Sequence, residues 1–305
     1  MRRLTIGLFA SLCFVPMGLG QSPQEKQATI AYVRELQTSE GGFLAAPARS
    51  GQPAVPSLRA TSAAMRVFKY FGGQPKDKAV AGRYVMSCFD ESSGGFADQP
   101  KGKPDVATTA VGLMAGVELG LPLDKIQQPA VAYLTRQTKS FEEIRIAAAG
   151  LEAIGVKSPA APEWQKQIDA MRNPDGSYGK SDGVARETGG AVAAALRLGA
   201  AVAKPESIIR ALNAGQRQDG GFGKAGATGS DLETTYRVMR TYHMLKAKPA
   251  EADRCRAFVA KCRNDDGGYG VAPGQPSAVG STYYAAIILH WLDAAIILHR
   301  PDEKG

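Results

Sequence analysis

The chain of 305 residues has few of the side chains that build metal or thiol sites: it contains four cysteines, three histidines and two tryptophans. It has no Cys-x-x-Cys pair, no His-Glu-x-x-His motif and no phosphate-binding P-loop. Such motifs place sulfur, imidazole or backbone amides at the spacing that zinc or a nucleotide phosphate requires. Their absence argues against a thiol oxidoreductase, a zinc peptidase and a P-loop nucleotide hydrolase.

Long apolar runs are also scarce, and the run at the N-terminus differs from the rest of the chain. Arg2 and Arg3 precede an apolar stretch that ends at Leu19, and small residues occupy the positions where a signal peptidase cuts. This pattern predicts a secretory signal peptide over residues 1–20 and export of residues 21–305 to the periplasm or the cell exterior. An anchoring helix is the alternative, but the stretch is short and nothing after it resembles a stop-transfer segment.

Charge of one sign is not concentrated anywhere in the chain. The formal net charge is +8, but lysines and arginines are scattered and form no basic patch interleaved with aromatic residues. A nucleic-acid groove needs such a patch, so we expect no nucleic-acid partner. A peripheral contact with an anionic membrane surface stays open.

A short pattern recurs along the chain: a glycine turn with an aromatic residue, followed by a helical run that opens on threonine. The turns lie at residues 41–43, 94–96, 176–178, 220–222 and 267–269, and a degenerate unit lies at residues 140–141. The threonine column consists of Thr61, Thr109, Thr188, Thr235 and Thr282, with Ile144 in the degenerate unit. Successive members of the column lie 48, 35, 44, 47 and 47 residues apart, a period typical of helical repeats.

The repeat contains two kinds of helix. The helix before each turn has one polar face, as in residues 255–262, whereas the helix after it is apolar almost all round, as in residues 108–117. A helix without a polar face must be enclosed by other helices. Six outer and inner pairs of this kind can close into a ring. We therefore predict an all-α fold, an α/α toroid (α6/α6 barrel), as one domain over residues 21–305.

The segment from Asp90 to Pro100, which leads into Asp105 and Thr109, resembles the repeat shared by protein prenyltransferase β subunits and squalene or terpenoid cyclases. It is especially similar to the β subunit of type II geranylgeranyltransferase. The resemblance extends over residues 24–293. It implies an α/α toroid of six helical pairs around a central apolar cavity.

The resemblance also implies where a catalytic site would lie, because prenyltransferases hold zinc with an Asp-x-Cys motif and with a histidine that opens the next inner helix. The matching residues here are Asp231, Glu233 and Ser281, so only the aspartate is retained. Zinc that activates a protein thiolate needs the sulfur and the imidazole. We predict a degenerate transfer site without a cofactor, and zinc bound by Asp231 and Glu233 is the alternative.

Carboxylates stand at the starts of several predicted inner helices. The candidates for catalysis are Glu143, Glu187, Asp231 and Glu233. Acids in a first helical turn ordinarily cap free amides and complement the helix dipole. If the ring brings them to one rim, they could instead bind a cation or act as general acid and base on a sugar chain. Both interpretations stay open.

Tyr236, Tyr283 and Tyr284 lie near the starts of the last two inner helices, and either pack in the core or line the cavity, with Lys224 as the nearby cation. Our leading hypothesis is an exported binding protein whose cavity takes an apolar, isoprenoid-like or peptide ligand, or which engages another envelope protein. A second hypothesis is an active prenyltransferase with altered metal ligands. A third is a carboxylate-based hydrolase or lyase acting on an envelope polysaccharide.

Overall fold

The computed structural model describes residues 21–49 and 51–297, with side chains up to Ala294. The predicted signal peptide lies outside the described residues. The outer helices are α1 (Pro23–Glu35), α3 (Lys78–Ser87), α5 (Asp124–Gln137), α7 (Ala161–Asp169), α9 (Pro205–Ala214) and α11 (Ala252–Lys261). The inner helices are α2 (Leu58–Phe71), α4 (Val106–Leu119), α6 (Phe141–Ala153), α8 (Val184–Leu198), α10 (Leu232–Met244) and α12 (Val279–Ile297). A two-residue antiparallel ladder joins β1 (Phe89–Asp90) to β2 (Gly95–Phe96).

The six inner helices form a closed ring. Each inner helix packs against the next one in the chain, and α12 packs against α2. A backbone hydrogen bond of 2.8 Å, from the Val279 N–H to the Ala45 carbonyl, joins the last unit to the first. The predicted α/α toroid of six outer and inner pairs is therefore confirmed.

The inner helices are more buried than the outer ones. The inner helix α4 buries ten of its 14 residues, whereas the outer helix α3 buries four of its ten. Within the part of the chain that the structure describes, no helix combines the length and apolar character needed to cross a bilayer.

The threonine column is explained by one hydrogen bond that is made five times. In each unit the backbone N–H of the turn aromatic donates to the threonine Oγ1 at 2.9–3.0 Å: Phe43 to Thr61, Phe96 to Thr109, Tyr178 to Thr188, Phe222 to Thr235 and Tyr269 to Thr282. All five threonines are fully buried. Threonine therefore supplies the acceptor for an amide that would otherwise be buried without a partner.

Glycines end the inner helices and allow the turns to pack closely on neighbouring helices. Gly72, Gly120, Gly155 and Gly199 have φ between 67° and 93°, the left-handed conformation that ends a helix. In the turn after α9, a Cβ on Gly220 would lie 2.2 Å from the Arg254 carbonyl oxygen. The turn can therefore pack directly on the next outer helix only with glycine at this position.

Candidate functional site

The inner ring encloses a cavity of about 600 Å³. Much of its wall is small or apolar, with contributions from Ala60, Ala63, Val111, Met114, Ile146 and Ala149. Polar side chains at and beside the cavity form two groups. One lies near the starts of α6, α8 and α10, and the other combines Tyr236 and Tyr283, about one turn into their helices, with arginines two to four turns into theirs. We call these groups the mouth cluster and the floor cluster.

The mouth cluster consists of Glu142, Glu233 and Arg237 with the neighbouring cations Arg145, Arg186 and Lys224. Its centre is Arg237, whose side chain is 8% exposed. The two Nη atoms of Arg237 donate to the Glu142 carboxylate at 2.8 and 3.0 Å, and Nη2 also donates to Glu233 at 2.9 Å. Burial raises the pKa of Glu142, but the hydrogen bonds from Arg237 and the charge of Arg145 outweigh burial and bring it to about 2.

Glu233, which the family resemblance aligns with the transferase cysteine, contacts three cations. Besides Arg237, its carboxylate lies 3.3 Å from Lys224 Nζ and 3.6 Å from Arg186 Nη2. Burial raises the pKa of Glu233, but the charges of Arg237 and Lys224 outweigh it and lower the pKa. Glu233 is therefore an ionised, paired carboxylate, a setting that does not suit a general acid.

The other predicted acids hold helix ends or pair locally. Asp231 accepts hydrogen bonds from the N–H and the hydroxyl of Thr234, at 2.8 and 2.9 Å, as the N-cap of α10. Glu143 accepts from the Ser140 N–H at 2.8 Å at the start of α6. Glu187 pairs with Arg186 at 2.9 Å.

The structure does not join Asp231 and Glu233 through a common partner, since their oxygens bind different groups. Of the four predicted catalytic acids, Glu143 lines the cavity, and Glu187, Asp231 and Glu233 lie outside its lining. Among residues 21–49 and 51–294, no group of three or more His, Cys, Asp or Glu side chains is placed to hold a metal ion. Ser281 is buried and offers only a hydroxyl. This donor set does not fit the zinc of a prenyltransferase, which needs sulfur and imidazole.

The floor cluster consists of Arg66, Arg197, Arg240, Tyr236 and Tyr283. Arg240 Nη2 donates to the Tyr236 hydroxyl at 3.0 Å, and Arg66 Nη1 donates to the Tyr283 hydroxyl at 2.7 Å. The two hydroxyl oxygens are 3.0 Å apart. Arg197 is paired with Glu152 at 2.8 Å.

Aromatic rings surround the floor cluster. The ring of Tyr236 stacks on Tyr284, with centroids 4.9 Å apart, and the Arg240 guanidinium lies 4.7 Å from the ring centroid of Trp291. The predicted cavity residues Tyr236, Tyr283 and Tyr284 all line the cavity, whereas Lys224 lies outside the lining. Their role in binding a ligand stays a prediction.

The charges of the floor cluster act on Tyr236. Burial raises its pKa, but the positive charges of Arg240, Arg66 and Arg197 outweigh burial and bring the pKa of Tyr236 to about 6. Burial raises the pKa of Tyr283 above its usual range. The two hydroxyl groups therefore differ, although they are hydrogen-bonded to each other.

The floor arginines were not among the predicted site residues, yet the repeat contains a signal for two of them. Arg66 and Arg240 each lie five residues after the threonine of their unit, Thr61 and Thr235. The same position holds Met114, Ala149, Ala193 and Ile287 in the other units. A charge in an otherwise apolar column marks a position that packing alone does not explain.

Residues 179–183 form a Gly-x-Ser-x-Gly sequence, Gly-Lys-Ser-Asp-Gly. Ser181 has φ of 51°, and its side chain is exposed before α8. In hydrolases this motif joins a strand to a helix and pairs its serine with a histidine. Here it leads from a loop into a helix, and within the described residues no hydrogen bond links the Ser181 hydroxyl to a base.

The chain matches a family model, the prenyltransferase alpha-alpha toroid domain, over residues 1–80, 75–128 and 145–304. It therefore belongs to the prenyltransferase α-α toroid family. The predicted closeness to the type II geranylgeranyltransferase β subunit stays a prediction. No curated protein matches the chain.

Several solved structures share the fold. Protein geranylgeranyltransferase-I from Candida albicans, complexed with GGPP, has a TM-score of 0.60 and 13% identity, covering 77% of this chain and 84% of that chain. A type II terpene cyclase from Scytonema has a TM-score of 0.60 and 13% identity, covering 90% and 98%. A glycosidase has a TM-score of 0.59 and 16% identity, covering 90% and 96%. Identities of this size show a common fold and nothing about activity.

Proposed function

We propose that this toroid is a binding protein whose central cavity takes an elongated apolar ligand of the isoprenoid or apolar peptide kind. The observation that carries the proposal is the hollow of about 600 Å³, in which small and apolar side chains such as Ala63, Val111 and Ile146 line the wall between the charged groups. Such a preformed cavity is within the size range of ligand pockets, and each Å² of apolar ligand surface that it covers contributes about 25 cal/mol.

The proposal includes the loss of zinc-dependent prenyl transfer. Glu233 stands where the transferases have their cysteine, and a metal ion there would have to displace Arg237, Lys224 and Arg186. Asp231 would have to give up its hydrogen bonds to the start of α10. Both costs support a role in binding over zinc catalysis.

We further propose that the protein acts outside the cytoplasm after removal of residues 1–20. The support is the basic, apolar and small-residue order of this segment. Sequencing the N-terminus of the protein purified from its native cells tests the proposal, since an intact Met1 would contradict it. A partner in the cell envelope is consistent with this location.

The binding test uses a fluorescent, uncharged isoprenoid alcohol. In Ala63→Leu the added carbons fill part of the cavity, so the dissociation constant should rise by roughly tenfold, about 1.4 kcal/mol. Ala257→Leu adds the same atoms to an exposed position of α11 and is the matched control. Equal affinity of both variants for the alcohol, or no binding to the wild type, would contradict the proposal.

The two rival functions give distinct results in the same preparation. Stoichiometric zinc that is lost in Asp231→Ala would support the transferase. Turnover of an envelope glycan that is abolished by Glu233→Gln would support the hydrolase or lyase. For the binding protein we expect neither zinc nor turnover.

A further inference from the structure

The hydroxyl groups of Tyr236 and Tyr283 link two arginines in one hydrogen-bonded chain. A guanidinium group can only donate, so Tyr236 accepts from Arg240 and Tyr283 accepts from Arg66. The remaining bond joins the two hydroxyl oxygens at 3.0 Å, and one proton fills it. Within the described part of the chain, the second hydroxyl proton has no acceptor.

The charges around the pair are unbalanced in the direction that favours losing this proton. Among the described side chains, neither Arg66 nor Arg240 forms an ion pair with a carboxylate, whereas Arg197 is neutralised by Glu152. The Nε atoms of Arg66 and Arg240 are buried without a hydrogen-bond partner. Cations withdrawn from water favour ionisation of a neighbouring acid, and the acid in contact with both is the tyrosine pair.

The groups that face Tyr236 from the surrounding helices are known. Helix α2 contributes Arg66, α8 contributes Arg197 with its partner Glu152 from α6, α12 contributes Tyr283, Tyr284 and Trp291, and α10 itself contributes Arg240. Tyr70 and His243 act on Arg240, and the His243 ring stacks on Trp291. Glu233, one turn earlier on α10, is matched by Arg237. The surroundings of the Tyr236 oxygen are therefore dominated by positive charge.

We propose that Tyr236 and Tyr283 share a single proton, so that a phenolate centred on Tyr236 lies at the cavity floor and accepts a proton from a ligand with a weakly acidic hydroxyl group, such as a phenol or enol. The ligand half of this inference rests on the proposed binding function. The phenolate half rests on the floor cluster alone.

The proton transfer is balanced without a further reactant. The O–H bond of the ligand breaks, its proton passes to the Tyr236 oxygen, and the electron pair stays on the ligand as an oxyanion. Arg66, which lines the cavity and forms no ion pair with a carboxylate among the described side chains, supplies positive charge for this oxyanion. Release of the ligand and loss of the proton to solvent restore the phenolate.

The phenolate is tested by titrating tyrosinate absorbance in the ultraviolet. The wild type should gain one tyrosinate per chain between about pH 5 and about pH 8, far below the ordinary titration of tyrosine. Tyr236→Phe should lose this step. Tyr284→Phe is the matched control and should retain it, because Tyr284 stacks on Tyr236 and burial raises its own pKa to about 12.

Arg240→Met provides a second variant if Tyr236→Phe fails to fold, as judged by circular dichroism. Removing this cation should move the tyrosinate midpoint upward by about one pH unit or more. A wild type with no tyrosinate below about pH 9, or a step that persists in Tyr236→Phe, would overturn the inference.

Proton acceptance is tested with a nitrophenol dye whose ionised form is coloured. Occupancy is measured by equilibrium dialysis, and the ionised fraction of the bound dye is measured at a pH below its solution pKa. At equal occupancy the wild type should raise that fraction severalfold over Tyr236→Phe. Bound dye with its solution ionisation overturns the base role alone, whereas no binding overturns the ligand half and leaves the titration to decide on the phenolate.

Discussion

The mouth and floor clusters both contain buried arginines, but these arginines bind different partners. At the mouth, Arg237 is bound by two carboxylates, Glu142 and Glu233, so its charge is matched within the cluster. At the floor, Arg66 and Arg240 meet tyrosine hydroxyl groups. An arginine with acids of low pKa forms a fixed structural pair, whereas an arginine with phenols shifts an acid of high pKa into the physiological range. The mouth is therefore built for rigidity and the floor for proton exchange.

The largest effect should come from breaking the mouth cluster at its centre. Arg237→Met leaves Glu142 and Glu233 facing each other without their shared partner, and should lower the free energy of unfolding by about 3 kcal/mol. Arg59→Met is the control, because Arg59 pairs with Asp105 at 2.9 Å but is about half exposed, and should cost less than about 1 kcal/mol. Urea denaturation of both variants measures the difference. Equal losses of unfolding free energy would contradict a structural role for the mouth cluster.

The floor should respond to pH instead. The pKa of Tyr236 is lowered in the folded state to about 6, so the stability it contributes is complete above its unfolded pKa and is lost as pH falls through about 6. The difference in unfolding free energy between wild type and Tyr236→Phe should therefore grow by about 1–2 kcal/mol from about pH 6 to about pH 8. A pH-independent difference in chemical denaturation would rule out this coupling.

A smaller effect is expected at the edge of the mouth. Glu233→Gln should cost about 1 kcal/mol, because Arg237 still donates two hydrogen bonds to Glu142. Glu187→Gln removes a more exposed pair with Arg186 and should change stability by less than about 0.5 kcal/mol. Thermal unfolding of the two variants ranks them, and the reverse order would show that Glu233 is not part of the cluster.

The smallest effect belongs to Lys224, whose side chain is about half exposed beside Glu233. Lys224→Ala should cost less than about 0.5 kcal/mol, and high salt should abolish the difference. A loss of ligand affinity larger than that in Ala63→Leu would instead show that Lys224 binds the ligand. Isothermal titration with the isoprenoid alcohol separates the two outcomes.

Much of the fold could be predicted because the chain repeats it. Spacing alone aligns Thr61 with Thr235. In the structure, each threonine Oγ1 accepts a hydrogen bond from the backbone N–H of its turn aromatic. The glycines that end inner helices were visible for the same reason. Repetition turns a weak local signal into a strong one, since one physical requirement is met several times.

The site was less predictable, because its parts come from different repeats. The acids at helix starts looked alike in the sequence, yet Asp231 caps α10 and Glu233 binds three cations. Which neighbour each acid meets depends on the rotation and spacing of adjacent helices. Arg66 and Arg240 share a column, but only ring closure brings them to the same pair of tyrosines.

The sequence by itself determined the repeat, the two classes of helix and their closure into a toroid, because turn chemistry and helix burial are local properties of each unit. Only the tertiary structure decided which charges meet across the ring and which stay unmatched. The reason is that electrostatic interactions depend on distances and burial between residues far apart in the chain, and these are fixed only when the last inner helix packs against the first.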